Sequence, residues 1–289
     1  KVGEDARADL VRQTLSCEGI LDRARTSTSE APTGASAVIS AHDRNAAIFT
    51  FRGANTLLRG EDLKPEFFDA DLIYVSTLSG RSADVLPDIV RLRPEGAKLS
   101  VNPGVRQITS RFAELWKMLP HIDLLAVNRL EAETFARQAV AELAGNENAT
   151  LRRIAAAGLA GTEGRGYSRS DVARALLAGL RGLGARTVLL TDGRHGAYAG
   201  RAHETLYCPP IEVPVASTAG AGDAFVSTFS GLAARDENIE LALLAATINA
   251  ASVVTAADSQ SGLLRQPELA RRVVEQGSKS RLVRWPEAC

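Results

Sequence analysis

Four short apolar runs, separated by segments with helical spacing, constrain this 289-residue chain more than any other feature. The runs lie at 71–75, 98–101, 124–127 and 187–190. Strands this apolar must be buried on both faces, which is typical of a parallel sheet covered by helices on either side. The pattern predicts an α/β protein with three layers, α/β/α, and a mostly parallel central sheet. We expect a single domain over 1–289.

Two further runs, 35–40 and 46–51, are rich in small, β-branched and aromatic residues and flank a polar stretch. This arrangement predicts a β-hairpin, and we place it as a small β lid around 33–52. The glycine- and arginine-rich stretch 146–169 is interpreted as a surface insertion, and 198–214 as an irregular region that can include an antiparallel hairpin. Helices are expected at 5–17, 83–92, 110–119, 128–138 and 170–183.

The composition argues against several classes of partner. Basic and acidic residues are equal at 34 each, and aromatic residues make up only 5%. We therefore expect no nucleic-acid partner. No membrane partner is expected either, because no apolar run approaches the roughly 20 residues of a membrane helix. Three widely spaced cysteines and four histidines show no metal-ligand spacing, which favours free thiols and a cytoplasmic location.

The strongest local signal is the segment 217–225, which reads Ser-Thr-Ala-Gly-Ala-Gly-Asp-Ala-Phe and opens into a helical pattern. Loop glycines allow close approach of a ligand, and the first N–H groups of a helix attract an anion. An ionised Asp223 would repel a phosphate unless it takes a proton from an attacking hydroxyl, so the segment indicates phosphoryl transfer. A capping Asp after a flexible turn explains these residues equally well.

Other nucleotide-binding motifs do not fit this segment. No Lys-Ser or Lys-Thr follows the glycines, so it is not a Walker A loop. It also lacks the Gly-x-Gly-x-x-Gly spacing of a dinucleotide fingerprint and lies late in the chain. A nicotinamide-dependent dehydrogenase is therefore disfavoured as an alternative.

The segment 218–225 resembles the C-terminal signature of the ribokinase-like (PfkB) carbohydrate kinases. Four more segments resemble motifs of that family in the same order along the chain. They are the Gly-x-Asp segment at 1–5, the Gly-Ala-Asn segment at 52–55, the Asn-x-x-Glu motif at 128–131 and the Thr-x-Gly-x-x-Gly nucleotide loop at 190–196. The resemblance covers nearly the whole chain and implies the ribokinase-like fold.

The resemblance implies a kinase that uses ATP and Mg²⁺ and phosphorylates a hydroxyl of a small sugar or sugar acid. In this reading Asp223 is the general base and contacts the substrate. The anion hole is formed by the backbone amides of Gly220, Ala221 and Gly222. The nucleotide side comprises Asn128, Glu131, Thr191, Gly193, Gly196 and Asn249, with Glu131 holding Mg²⁺ through water. The substrate side comprises Gly53, Asn55 and Asn102.

Structural interpretations of the same residues stay open. Asn128 and Glu131 also fit a helix N-cap and its capping box, and one residue can do both jobs. The glycine loop at 191–196 fits a simple turn, as does Asn102 before Pro and Gly. Asn55 fits a turn residue with left-handed backbone, and Asn249 fits plain helix packing.

Two departures from the family pattern affect the interpretation. The family usually has a strand, a substrate-binding Asp and a Gly-Gly-x-x-x-Asn segment before its Gly-x-Asp, whereas this chain starts at Lys1. We expect a preceding segment in the natural protein, and the alternative is a truncated, inactive relative. Ser217 stands where the family has an Asp that helps to bind a monovalent cation. A neutral oxygen there predicts weak or absent activation by potassium.

The family resemblance also implies a homodimer, because the lid of a relative can form a dimer contact. Two alternative functions remain beside the sugar kinase. One is a ribokinase-like protein that binds a sugar or nucleotide without turnover, and the other is a nucleoside kinase.

Overall fold

The structure, a computed structural model, describes residues 1–40, 46–142, 168–202, 204–236, 238–277 and 282–286. The strands in chain order are β1 (Val2–Gly3), β2 (Ser27–Thr28), β3 (Ala35–Ser40), β4 (Ala46–Phe51), β5 (Leu72–Val75), β6 (Lys98–Val101), β7 (Leu124–Asn128), β8 (Thr187–Thr191), β9 (Ala197–Gly200), β10 (Glu204–Cys208) and β11 (Val283–Pro286). The α-helices are α1 (Ala6–Cys17), α2 (Leu86–Leu92), α3 (Val105–Ser110), α4 (Phe112–Met118), α5 (Arg129–Glu142), α6 (Arg169–Gly182), α7 (Ala221–Asp236), α8 (Ile239–Val253) and α9 (Gln266–Gly277).

Seven strands form the central sheet in the spatial order β11-β10-β9-β8-β7-β6-β5. The strands β5, β6, β7 and β8 are parallel neighbours, and β9, β10 and β11 extend the sheet in antiparallel pairs. The mostly parallel central sheet expected from the four apolar runs is therefore confirmed. The carboxyl ends of the parallel strands meet at one edge, where α/β proteins bind their ligands.

Alternating side chains of the central strands build a separate core on each face of the sheet. In β7, Leu125 and Val127 join the cluster beneath α5 and α6, whereas Leu124 and Ala126 join the cluster beneath α7 and α8. Phe135 anchors the first core and Phe229 the second, and both are fully buried. Burial of a large apolar side chain contributes about 1.5–3 kcal/mol, so both helical layers are held to the sheet mainly by such contacts.

The hairpin β3–β4 confirms the predicted bounds of the lid strands, with Ala35 opposite Phe51 at its base. Its root is fixed to α1 by Asp5, the N-cap of that helix. The Asp5 carboxylate accepts the Thr33 hydroxyl and the Thr33 backbone N–H, both at 2.7 Å. Beyond this root, the apolar side chains of the hairpin are exposed, among them Val38, Ile39, Ile48, Phe49 and Phe51.

The structure differs from the predicted elements in a few places. The residues before α2 form a 3₁₀ helix, Gly80–Val85, where the spacing predicted one α-helix from 83. The terminal strand β11 was not predicted, because a four-residue strand after a long helical region gives little periodicity. Most of the predicted insertion at 146–169 lies outside the described residues. Among the helices that the structure describes, none combines the length and apolar character needed to cross a membrane.

Candidate active site

Gly220 and Gly222 give the loop before α7 its shape. Gly220 has a φ of +82°, and a Cβ placed on it would lie 2.5 Å from Cβ of Ser259. This position therefore requires glycine on both conformational and steric grounds. A Cβ on Gly222, by contrast, would meet no atom within 4 Å, so open space lies beside the first turn of the helix. The first N–H groups of a helix lack the usual intrahelical partner. Here the Ala221 N–H reaches the backbone oxygen of Thr218 only at 3.4 Å, so the turn can still donate to an anion.

The Asp223 carboxylate lies in this first turn and is exposed. Its charge acts on two neighbours from different elements. Burial raises the pKa of Glu131, and the charge of Asp223 raises it further, although the backbone N–H of Asn128 opposes the shift. Burial, assisted by Asp223, raises the pKa of Tyr74 to about 12, so this phenol stays neutral near pH 7. The charge of Asp223 therefore lies close enough to act on Glu131 of α5 and on Tyr74 of β5.

Asn128 and Glu131 form the capping box of α5. The Asn128 side-chain oxygen accepts the Glu131 backbone N–H at 2.9 Å, and the Glu131 carboxylate accepts the Asn128 backbone N–H at 2.8 Å. The capping box that the sequence left open as an alternative is therefore formed. These bonds do not use every acceptor of the Glu131 carboxylate, because a carboxylate has two oxygens and can accept further hydrogen bonds.

A cavity of about 630 Å³ lies between the carboxyl ends of β7 and β8, the start of α7 and one side of α8. This volume is within the range of sites for small molecules and cofactors. Its lining includes six of the predicted site residues, namely Asn128, Thr191, Gly193, Gly196, Ala221 and Gly222. The structure thus brings together three segments that are far apart in the sequence.

The loop after β8 is a 3₁₀ turn, Gly193–His195, with Gly193 at φ +54° and Gly196 at φ +87°. A Cβ on Gly196 would lie 2.4 Å from the backbone oxygen of Cys208, so glycine is needed there for close packing against β10. A Cβ on Gly193 would meet nothing within 4 Å. The loop is therefore tightly packed at Gly196 and open to the cavity at Gly193.

Glu131, Gly220 and Asp223 lie outside the described lining of this cavity, and so does Asn249, whose nucleotide contact stays a prediction. Its amide donates to the Thr228 hydroxyl at 2.8 Å and accepts the backbone N–H of Leu264 at 3.0 Å. It joins α8 to α7 and to the segment before α9, which corresponds to the packing interpretation. The residues of α8 and its C-terminus that line the cavity are Thr247, Ala250, Ala251 and Val254.

The predicted substrate residues lie on other segments. Gly53 has a φ of +50° and begins a 3₁₀ helix at the root of the lid, so Asn55 does not occupy an isolated left-handed turn. Asn55 is exposed, and its amide lies against Gly34 at the start of the lid. The Asn102 amide donates to the backbone oxygen of Ala126 at 2.9 Å and so joins the ends of β6 and β7.

Several cavity residues did not emerge from the sequence. The segment before the glycine loop contributes Ile211, Val213 and Val215, whose alternation was a usable signal for an extended wall. Arg194 and Glu212 are the charged side chains of the described lining. No sequence pattern singled out these two, because isolated charged residues are common in loops.

A divalent cation fits the chemistry of this site. Glu131 and Asp223 are carboxylates close enough for the charge of one to raise the pKa of the other, and a cation held between them would relieve this repulsion. Within the described ranges, no three His, Cys, Asp or Glu side chains come together as a complete metal site. Mg²⁺ typically keeps several waters and takes few protein carboxylates alongside substrate phosphates, so this sparse set of ligands suits it.

Comparison with known proteins agrees with this architecture. The family model described as pfkB family carbohydrate kinase matches residues 1–266. The chain is 24% identical over 233 residues to ribokinase of Staphylococcus aureus (strain COL). That match covers 79% of this chain and 66% of the relative, so it spans slightly less than two thirds of the relative's length.

Solved structures with this fold include two informative examples. A putative ribokinase II from E. coli, determined in complex with ATP and Mg²⁺, superposes with a TM-score of 0.74 at 17% identity and covers 95% of this chain and 81% of its own. A nucleoside kinase from Methanocaldococcus jannaschii superposes with a TM-score of 0.70 at 17% identity. This superposition covers 95% of this chain and 79% of the nucleoside kinase chain. At such identities the likeness establishes the fold alone.

The fold is that of the ribokinase-like kinases, three layers with a central, mostly parallel sheet. Because the family model spans nearly all of the sequence, the chain belongs to the pfkB family of carbohydrate kinases. Both expectations drawn from the motif resemblance, the family and the fold class, are confirmed.

Proposed function

We propose that the protein is an ATP-dependent phosphotransferase that phosphorylates a hydroxyl of a small sugar or sugar acid, with Asp223 as the general base. One observation carries the proposal. Asp223 stands in the first turn of α7 and directly follows Gly222, which has open space beside it and lines a cavity of nucleotide size. A carboxylate beside an anion site suits proton removal from a hydroxyl that attacks a phosphoryl group.

In this proposal the cavity holds the nucleotide. The apolar surface formed by Ala250, Val254 and the apolar side chains of the 211–215 segment suits a purine ring, because burial of apolar area is favourable in proportion to the area removed from water. The open backbone at Gly193 and the amides of Gly220, Ala221 and Gly222 face the phosphate end. In-line transfer depends on such positioning and charge neutralisation more than on covalent chemistry.

Glu131 would hold Mg²⁺ through water, and Asn128 would help to place those waters. When bound, Mg²⁺ neutralises charge on the phosphates and relieves the repulsion between Glu131 and Asp223. Asp223 then takes the proton of the acceptor hydroxyl. The lid at 33–52, fixed to α1 by Asp5 and Thr33, would exclude water from the transfer step and so limit hydrolysis of ATP.

The acceptor would bind between the lid and Asp223, with Gly53, Asn55 and Asn102 on the substrate side. Asn55 is the residue best suited to sugar hydroxyls, because its amide is exposed at the lid root. The amide N–H of Asn102 is engaged with Ala126, but its oxygen remains a candidate acceptor. A nucleoside is the alternative acceptor, since related folds serve both substrate classes.

The test is ADP release from MgATP across a panel of sugars, sugar acids and nucleosides. Asp223→Asn should abolish acceptor-dependent turnover, because it removes the base. Asp9→Asn is the matched control, since Asp9 also lies in the first turn of a helix but on the exposed face of α1. Turnover that survives Asp223→Asn would disprove the role of Asp223. Binding of ATP or a sugar with no turnover on any acceptor would favour a non-catalytic relative.

We also propose a homodimer that is formed through the lid. The exposed apolar side chains of β3 and β4 include Phe49 at 64% and Phe51 at 54% exposure, which is costly in water for an isolated hairpin. Sedimentation analysis should give a dimer mass, and Phe49→Ser should weaken that dimer. A monomer at all concentrations would contradict the proposal. The chain is proposed to act as one domain over 1–289.

A further inference from the structure

Asp192 is the centre of a charged cluster beside the cavity. Its carboxylate is 5% exposed and binds the Arg169 guanidinium through two bonds, Nε–Oδ2 at 2.6 Å and Nη2–Oδ1 at 3.0 Å. Nη1 of Arg129 donates to the same Oδ2 at 3.4 Å, and Nε of Arg129 donates to Glu133 at 3.0 Å. Among the described residues, the nearly enclosed Asp192 carboxylate is therefore paired with two guanidinium groups.

The cluster lies where two strands deliver the residues of the candidate site. Asn128 and Thr191 are direct partners in the parallel register of β7 and β8. Arg129 and Asp192 are the residues that directly follow these two strands. Arg169 is the first residue of α6. The cluster therefore joins the starts of α5 and α6 to the glycine loop after β8.

The backbone of Asp192 closes this glycine loop. Its N–H donates to the backbone oxygen of Gly196 at 2.9 Å, and its backbone oxygen accepts the N–H of His195 at 3.0 Å. Gly193, at the other side of the turn, has no neighbour that would restrain a side chain there. The loop is consequently held at Asp192, whereas its cavity side is left open.

An ion pair with one buried partner is a weak source of net stability, because desolvation of the charge offsets most of the attraction. It does fix geometry, since a bidentate guanidinium–carboxylate pair permits only a narrow range of distances and angles. Here the bidentate pair joins Asp192 to Arg169 of α6. The longer 3.4 Å contact from Arg129 extends this link to the start of α5, next to Asn128, which lines the same cavity as the glycine loop.

We propose that Asp192 is a positioning residue for the nucleotide: through Arg169 and Arg129 it holds the 193–196 loop at the distance from α5 that the phosphates require. Asp192 itself contacts no substrate. The inference rests on the proposed function, because it takes the cavity to be the nucleotide site. It concerns nucleotide affinity and does not involve the acceptor.

The experiment compares Asp192→Asn with wild type by titration calorimetry with MgATP and by steady-state kinetics. Loss of the charge should weaken MgATP binding and raise KM for ATP by about tenfold or more, since small misplacements of a positioned group have large effects. KM for the acceptor should stay within about twofold of wild type. A general loosening of the fold would change both KM values, so the contrast between them separates positioning from stability.

Glu268→Gln is the matched control, because Glu268 also binds two arginines, Arg271 and Arg272, on the exposed surface of α9. It should leave both KM values unchanged. Arg169→Lys keeps the positive charge but loses the bidentate guanidinium contact. It should therefore weaken MgATP binding, as Asp192→Asn does, but to a smaller extent. In an Arg169→Gln background, Asp192→Asn should have a reduced effect, because the pair acts as one unit.

The possible outcomes separate this inference from the proposed function. Reduced MgATP affinity in Asp192→Asn with no turnover in wild type would support the positioning role and disprove the kinase. Unchanged MgATP affinity in Asp192→Asn, or equal increases in both KM values, would overturn the positioning role alone. A wild-type protein that binds no MgATP would overturn both.

Discussion

Two glycines, two residues apart, allow a test that separates the fold of the loop before α7 from its proposed chemistry. Gly220 has left-handed backbone and is packed against Ser259, whereas a Cβ on Gly222 would meet only open space. We therefore expect Gly220→Ala to damage stability and Gly222→Ala to damage activity. Gly231→Ala is the control, because Gly231 lies on the same helix and a Cβ there also meets nothing within 4 Å.

The magnitudes follow from the geometry. At Gly220 a left-handed alanine costs about 1–2 kcal/mol, and relief of the 2.5 Å contact with Ser259 costs about 1–3 kcal/mol by analogy with overpacked cores. The unfolding free energy should therefore fall by about 2–5 kcal/mol, which lowers Tm by roughly 4–10 °C in a chain of this size. Gly222→Ala and Gly231→Ala should each raise it by about 0.5–1 kcal/mol, because alanine favours a helix over glycine.

Urea unfolding followed by circular dichroism gives the stability, and ADP release gives the activity. Gly222→Ala should lower kcat/KM by about tenfold or more, because its methyl group occupies the space where the phosphoryl group must approach the helix. Gly231→Ala should retain wild-type kcat/KM. Full activity in Gly222→Ala would refute the anion hole at this turn. Wild-type stability in Gly220→Ala would refute the strain argument.

Two other residues give further predictions. Hydrogen bonds from Thr33 hold the pKa of Asp5 below its usual 3.8, so its contribution to stability is present above that pH and is lost as the pH falls through the lowered pKa. Asp5→Asn should therefore be less stable than wild type at pH 7 in urea unfolding, and the difference should shrink below about pH 4. Ser217 has a neutral hydroxyl that accepts the Ala219 N–H at 3.3 Å, so replacing potassium with a bulky inert cation should leave turnover unchanged. Ser217→Asp should introduce potassium activation, and a strong potassium dependence of wild type would contradict this reasoning.

The elements that could be predicted from the sequence are those with a strong local pattern. The run at 187–190 is apolar from Val188 to Leu190 because both faces of β8 are covered, and burial of this kind is visible in the residues themselves. The antiparallel strand β11 could not be predicted, because Val283–Pro286 is largely exposed and pairs with β10 across a long sequence separation. Its position depends on tertiary contacts that leave no periodic pattern.

The same distinction holds for the candidate site. Gly220 and Gly196 could be singled out from the glycine motifs, and the structure gives each a crowded backbone position that requires glycine. Asn249 was placed by resemblance at the nucleotide, yet its amide bonds to Thr228 and Leu264. The Asp192 cluster was missed altogether, because its partners are 23 and 63 positions away. A pairing over such distances is specified by the fold and not by local spacing.

Side chains and backbone groups have different positions in the candidate site. Asn128 is engaged in a capping box, Asp192 in an ion cluster and Ser217 with Ala219, so side chains anchor each loop at its start. The open positions beside the cavity, Gly193 and Gly222, offer backbone N–H groups instead. Under the proposed function, these backbone groups bind the phosphates of the nucleotide, which carry no information about the acceptor. The proposal therefore assigns the choice between a sugar and a nucleoside to side chains on the lid side, such as Asn55.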